Sequence, residues 1–291
     1  MPRETGAFLI CREEGNMKYL ITGANGQLGK ELQHLLTEKN LEFVAFGSSE
    51  LDITDSERVR EVLAQENPDF VFDAAAYTAV DAAEDEGKEL NWAVNAKGTE
   101  NLAQASKLSN ATFVYISTDY VFDGTNENQY REDDLTNPMN EYGKAKLAGE
   151  KAVTMSGVDY YIIRTSWVFG AYGNNFVFTM QKLAQNLDKL NVVNDQHGRP
   201  TWTKTLAEFM LFLSESRPEQ GIYHLSNDNE ATWYEFAKEI LKESDIEIFP
   251  VASDQFPQKA YRPKHSVMSL DKVKKTGFEI PTWQQALAEF L

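Results

Sequence analysis

Met17-Lys18-Tyr19-Leu20-Ile21-Thr22-Gly23-Ala24-Asn25-Gly26-Gln27-Leu28-Gly29 carries a short apolar strand straight into a glycine loop. A helix follows, because Leu28, Leu32, Leu35 and Leu36 recur at helical spacing. Between strand and helix, Gly23, Gly26 and Gly29 form GxxGxxG. Glycines at such a junction permit a tight turn, let backbone amides approach a pyrophosphate, and let helix and strand pack closely. The helix N-terminus adds partial positive charge. The pattern alone is weak, and its place directly after the first strand makes it a dinucleotide-binding signature.

Outward from this unit, strands and helices alternate. Phe43–Phe46 reads as a strand, and Asp55 or Ser56 can cap a helix with Val59, Val62 and Leu63 on its apolar face. Asn67-Pro68 closes that helix, and Phe70–Ala75 is the next strand. A long helix is expected over Glu89–Leu108, a strand over Thr112–Ile116, a helix over Glu141–Val153 and a strand over Tyr160–Arg164. This alternation predicts an α/β fold, a Rossmann-like doubly wound parallel sheet with helices on both faces. Beyond Gly170 aromatic residues become dense (Trp202, Trp233, Tyr234, Phe236, Trp283) and Gly- and Pro-containing loops separate short elements. A smaller α/β substrate-binding region is therefore expected at the C-terminus. The expected division is a dinucleotide-binding domain over 17–170, also receiving part of 192–225, and a mainly substrate-binding region over 171–291.

Composition narrows the function. The 291 residues include 28 basic and 45 acidic ones, for a net charge of −17. Nucleic-acid backbones are gripped by clustered Lys and Arg, and no such cluster is present, so no nucleic-acid partner is expected. No apolar run reaches the ~18 residues of a transmembrane helix. Cys11 is the only cysteine, which excludes an intramolecular disulfide and a cysteine metal site and fits a cytoplasmic setting. Residues 1–16 lack periodicity and read as a disordered extension. Arg12-Glu13-Glu14-Gly15 is what a purine-rich ribosome-binding sequence would encode, so translation is expected to start at Met17. An N-terminal mass showing a native product that begins at Met1 would overturn this.

The chemistry is expected from Thr118, Tyr142 and Lys146. Tyr142 and Lys146 are four apart on one helix and share a face. A free phenol titrates near pH 10, and a neighbouring ammonium lowers that value and readies it for proton exchange. The same spacing recurs at Tyr234 and Lys238, where packing and a solvated lysine tip are expected. Only Tyr142 follows the fourth strand, where it can reach a nicotinamide. Thr118, in Ser117-Thr118-Asp119-Tyr120-Val121-Phe122, can bond and orient a reacting oxygen. An acidic residue ending the second strand would favour NADH, but Gly47-Ser48-Ser49 stands there. NADPH is therefore expected, with NADH as the alternative.

Five motifs then occur in order: GANGQLG, AAAYTAVD from Ala74, STDYVFDG from Ser117, YGKAKLAGE from Tyr142 and RTSWV from Arg164. With them the chain resembles the extended short-chain dehydrogenase/reductase family. Gly173-Asn174-Asn175-Phe176 and Asn194-Asp195-Gln196 narrow the resemblance to its dTDP-4-dehydrorhamnose reductases. The resemblance runs from Met17 to Leu291. It implies NAD(P)H-dependent reduction of the C4 ketone of dTDP-6-deoxy-L-lyxo-4-hexulose, the last step toward dTDP-L-rhamnose. It implies that Tyr142 donates a proton to O4, Lys146 tunes Tyr142, and Thr118 bonds the ketone oxygen. Gly23, Asn25, Gly26, Gln27 and Leu28 would hold the pyrophosphate. Asp52 and Ile53 would lie near adenine, and Ala74, Ala75, Ala76 and Tyr77 would line the ribose and phosphates. The dTDP-sugar would meet Asp119, Tyr120, Trp167 and Asn175, with Arg262 on its diphosphate. From the residues alone, Asp52 reads equally as a turn residue, Trp167 as a core aromatic and Arg262 as a surface arginine.

One departure bears on assembly. Some relatives bridge a dimer through a metal held by carboxylates, one of them near the helix after Gly-x-Pro-Thr. Here Lys204 follows Gly198-Arg199-Pro200-Thr201, and an ammonium beside Glu31 disfavours a divalent ion. No metal is expected, and the chain reads as a monomer or weak homodimer. Two other readings stay open at this point. One is a nucleotide-sugar epimerase or dehydratase that recycles its NAD⁺. The other is a regulatory subunit like that of S-adenosylmethionine synthetase, against which the intact Thr118, Tyr142 and Lys146 argue.

Overall fold

The computed structural model describes residues 17–291. The extension read over 1–16, with Cys11, lies outside the described residues. Strand β1 (Lys18–Thr22) lies between β2 (Glu42–Phe46) and β3 (Phe70–Asp73). Strands β4 (Thr112–Thr118), β5 (Tyr160–Thr165) and β10 (Gly221–His224) complete a sheet of order β10-β5-β4-β3-β1-β2, parallel throughout. Side chains alternate across it, as strand geometry requires. Tyr19, Ile21, Phe70, Phe72, Val114, Tyr161 and Ile163 enter one core. Leu20, Val71, Phe113, Tyr115 and Ile162 enter the other. Both faces are covered, which is why these strands are continuously apolar.

The first face is covered by α1 (Gln27–Glu38) through Leu28, Leu32, Leu35 and Leu36, and by α7 (Thr203–Ser216) through Leu206, Phe209, Met210 and Leu213. The second is covered by α2 (Ser56–Glu66), α4 (Thr99–Leu108) and α5 (Glu141–Ser156). Asp55 caps α2, accepting from the Glu57 and Arg58 amides at 3.0 Å, and Asn67 closes it in the left-handed region at φ 45°. The single helix expected over Glu89–Leu108 is divided. Helix α3 (Lys88–Trp92) widens into a π turn at Ala93–Gly98 before α4 begins. The widened turn lets Gly98 pass close to Ile53: a Cβ on Gly98 would lie 2.6 Å from the isoleucine Cδ1. Such turns concentrate at functional sites, and this one presents Asn95 to the loop after β3.

The remaining chain builds a third core. Helices α6 (Phe176–Ala184), α8 (Trp233–Ile240) and α10 (Trp283–Phe290) bring together Val177, Phe236, Trp283 and Leu287. Strand β7 (Lys189–Val193) pairs with β12 (Glu247–Val251). Two-residue strands join the parts: β6 (Val168–Phe169) with β9 (Thr201–Trp202), and β8 (His197–Gly198) with β11 (Ala231–Thr232). Helix α9 (Asp271–Lys275) packs beside β10. Among the described residues no helix is long and apolar enough to cross a membrane. The chain leaves β1 for β2 on one side and returns to β3 on the other. Ligands of open α/β sheets bind at that reversal, outside the carboxyl ends of the strands.

Candidate active site

The glycine loop fills the reversal. Gly23 turns in the left-handed region at φ 67°, and a Cβ there would lie 2.5 Å from the carbonyl of Ala74 after β3. A Cβ on Gly29 would collide with the Gly23 carbonyl. The loop is tied to β2 by a bond from the Ala24 amide to the Phe46 carbonyl, 3.0 Å. Helix α1 starts at Gly26 with no side-chain cap and no acidic residue in its first turn. Its leading amides therefore remain available for an anion. These features fit a dinucleotide pyrophosphate, with Gly23, Asn25, Gly26, Gln27 and Leu28 around it.

Beside the loop, Ala74–Tyr77 is pinned by Asn95. The Tyr77 amide donates to Asn95 Oδ1 at 3.1 Å, and Asn95 Nδ2 donates to the Tyr77 carbonyl at 2.9 Å. Asn95 Nδ2 also reaches Asn91 Oδ1, and Asn91 Nδ2 reaches the Glu141 carbonyl, one residue before Tyr142. A chain of buried amides thus links the loop after β3 to the start of α5. Asp52 accepts from the Thr54 amide and hydroxyl, the geometry of a turn residue, while Ile53 is buried beneath it.

Thr118 and Tyr142 face each other where β4 ends and α5 begins, and Lys146 lies one turn further along α5. Asn140 caps α5, accepting from the Gly143 amide at 2.7 Å, and its Nδ2 donates to the Tyr261 carbonyl. Thr118 Oγ1 donates to Asp119 Oδ1 at 3.0 Å and accepts from the Tyr120 amide. The Tyr142 phenol faces the Thr118 side chain and Asp119. Burial, and then the Asp119 charge, push the Tyr142 phenol above its usual range. This corrects the expected downward pull from Lys146: in the protein alone the phenol is held protonated. Lys146 is 2% exposed, and its ammonium sits 4.1 Å from the centre of the Tyr115 ring. Burial brings it down to about 8, against the opposing charges of Asp73 and Glu150.

A buried brace stands behind these groups. Arg164 on β5 binds Glu150 on α5 through two parallel bonds of 2.9 and 2.8 Å. Ser117, the neighbour of Thr118, donates to the same carboxylate at 2.5 Å. Asp119 is equally enclosed: Ser266 donates to its second oxygen at 2.6 Å, and burial raises it to about 6. Asp73 receives Thr22 Oγ1 at 2.7 Å, while its other oxygen is buried without a partner among the described residues.

The residues expected to meet the sugar lie among aromatic rings. Trp167 adopts φ 47°, costly for a bulky residue, and stacks on Trp233 with ring centres 3.7 Å apart at 15°. On its other face Gly198 leaves room, since a Cβ there would approach the indole to 2.7 Å. Tyr120 meets Tyr142 edge-on at 6.2 Å. Arg262 pairs with Asp81 at 2.7 Å, and its Nη1 is buried without a partner among the described residues. Asn175 is used structurally: it caps α6, and its amide donates to the Gly170 carbonyl and to Gln27 Oε1.

The end of β2 adds a residue to the expected cofactor side. Gly47-Ser48-Ser49 holds nothing that repels a phosphate, but the chain turns there and brings Glu50 back. Its carboxylate accepts from the Gly47 amide at 2.8 Å.

Residues 17–291 match the family model of the RmlD substrate binding domain. The chain belongs to this RmlD family. It is 43% identical to the spore coat polysaccharide biosynthesis protein SpsK of Bacillus subtilis, covering 94% of the chain and 96% of that protein. It is 41% identical to a dTDP-4-dehydrorhamnose reductase of Streptomyces griseus, over 94% of the chain and 92% of that enzyme. The crystal structure of the Bacillus anthracis dTDP-4-dehydrorhamnose reductase in complex with NADP superposes with a TM-score of 0.91 at 39% identity, covering 95% of the chain and 99% of that structure. The Rossmann-like parallel sheet expected from the sequence is thus the RmlD-family fold. Within it, Asn91, Asn95, Asp73, Glu150, Arg164, Ser266 and Trp233 escaped sequence reading. Two asparagines four apart inside a long helix were the one visible signal, since asparagine is a poor residue for a helix interior.

Proposed function

We propose that this chain reduces the C4 ketone of dTDP-6-deoxy-L-lyxo-4-hexulose to dTDP-L-rhamnose. The observation that supports the proposal is Tyr142 facing Thr118 at the end of β4, one helical turn from the buried Lys146, in a fold whose glycine-loop helix is uncapped. The reduced dinucleotide, NADPH with NADH as the alternative, supplies a hydride to the carbonyl carbon. Tyr142 supplies the proton to the carbonyl oxygen, so the double bond becomes an alcohol with its new C–H and O–H bonds accounted for. Holding the phenol protonated at neutral pH suits this donor role. Lys146 carries the positive charge of this helix face, one turn further along α5. Thr118 must exchange its bond to Asp119 for one to the ketone oxygen, and that oxygen becomes a better acceptor as negative charge develops on it.

Trp167 and Tyr120 supply an apolar wall for the sugar, and the free Nη1 of Arg262 suits a diphosphate oxygen. The division into a dinucleotide-binding domain over 17–170 and a substrate region over 171–291 belongs to this proposal. So does a cytoplasmic monomer or weak homodimer without a bridging metal. Lys204 supports the last point by pairing with Glu289, while Thr203 donates to Glu31 at 2.8 Å. The test is loss of absorbance at 340 nm on mixing enzyme, NADPH and the dTDP-4-keto sugar, with the product identified by mass and stereochemistry. An enzyme that interconverts the sugar without net loss of NADPH would overturn the proposal.

A further inference from the structure

Sheet order fixes which way a dinucleotide must lie. Thr118, Tyr142 and Lys146 belong to β4 and α5, on one side of the glycine loop. With the nicotinamide drawn to them, the adenosine half extends the opposite way, over the end of β2. The ribose next to the pyrophosphate then faces the turn Gly47–Glu50. That turn is closed by a bond from the Glu50 amide to the Gly47 carbonyl at 3.0 Å, and the Glu50 side chain returns to the Gly47 amide. Gly47 is also in close contact with the loop, because a Cβ there would collide with Asn25 Nδ2. The exposed Glu50 carboxylate therefore stands at the border of the glycine loop and β2. No Lys or Arg occurs between Lys39 and Arg58 to offset it, and Arg58 pairs with Glu61.

We propose that Glu50 sets the choice between the two reduced dinucleotides in this chain. Its carboxylate accepts the ribose 2′-hydroxyl of NADH and opposes the 2′-phosphate of NADPH, which must displace it from the Gly47 amide. The inference rests on the function proposed above and deepens it. It gives a physical reason for NADH to be used at all, and it locates that reason in a residue outside the Gly47–Ser49 segment.

Direct binding tests it without turnover. NADH and NADPH are titrated separately into the full chain and into Glu50→Gln and Glu50→Ser, following nicotinamide fluorescence. Removing the charge is expected to tighten NADPH about tenfold and to change NADH by less than about threefold. Raising the salt concentration should shrink the NADPH difference between the wild-type chain and Glu50→Gln, because an exposed repulsion is screened. A turn-capping role alone would shift both nucleotides together and show no such salt dependence. An unchanged NADPH-to-NADH ratio in both variants overturns the assignment of Glu50 while leaving the reductase reading intact. A wild-type chain that binds neither nucleotide removes both.

Discussion

Two helices of this molecule carry a tyrosine four residues before a lysine, and their surroundings share almost nothing. On α8, Lys238 is exposed and lies 5.6 Å from the centre of the Tyr234 ring, a cation over an aromatic face at the edge of the third core. On α5, Lys146 is buried over the ring of a different tyrosine, with Asp73 and Glu150 as its counter-charges. Tyr142 is directed instead toward Thr118 and Asp119. The spacing makes the residues neighbours on a helix, and the end of β4 gives one pair the surroundings the proposed chemistry requires. In this proposal address counts for more than pattern.

The comparison can be broken first at the phenol. Tyr142→Phe should lower kcat by roughly 10²–10⁴ if proton donation is its role, whereas Tyr234→Phe should leave kcat within about twofold. Equal losses in the two variants, measured by NADPH consumption, would erase the distinction. Next comes the brace that only α5 possesses. Glu150→Gln leaves the Arg164 guanidinium buried without its carboxylate, and a loss of about 3–5 kcal/mol is expected in denaturant unfolding. The exposed pair at the end of α8 is the contrast: Lys242→Gln, which breaks its contact with Glu239, should leave the unfolding midpoint unchanged.

Asp119 offers a test with the opposite sign. Its folded value near 6 lies above its ordinary 3.8, so the native state binds more protons between those limits. Its contribution to stability therefore falls as pH rises through that window. Asp119→Asn should raise stability at pH 7 by roughly 1–2 kcal/mol. A stability unchanged between pH 4 and 7 by the substitution would refute this. The smallest effect is a pH limb. With Lys146 brought to about 8, the rate should decline above that pH as the ammonium is lost, and Lys238→Met should leave the limb in place.

The fold was legible because its signals are local. Leu28, Leu32, Leu35 and Leu36 mark a helix without reference to anything distant, and Asp55 and Asn67 mark the ends of another. The proposed reactive residues could be singled out because Tyr142 and Lys146 share a helix and Thr118 ends a strand. What could not be read depends on contacts across the chain. Trp167 meets Trp233 and Gly198 only after the C-terminal region folds back. Arg164 finds Glu150 only through the pairing of β4 with β5 and the docking of α5. Glu50 was missed for a smaller reason, a single turn that reverses the side chain onto Gly47. The direction of the Tyr142 shift was also hidden, since burial has no signature in residue spacing.

The stacked indoles have an optical consequence. Two tryptophans with ring centres 3.7 Å apart and nearly parallel do not absorb light as independent chromophores. Their transitions couple, and the excited state belongs to the pair. Because one of the two lines the proposed sugar pocket, a bound ligand that shifts Trp167 by a fraction of an ångström would alter that coupling. The molecule thereby contains its own spectroscopic gauge of pocket occupancy, built from native residues and needing no label.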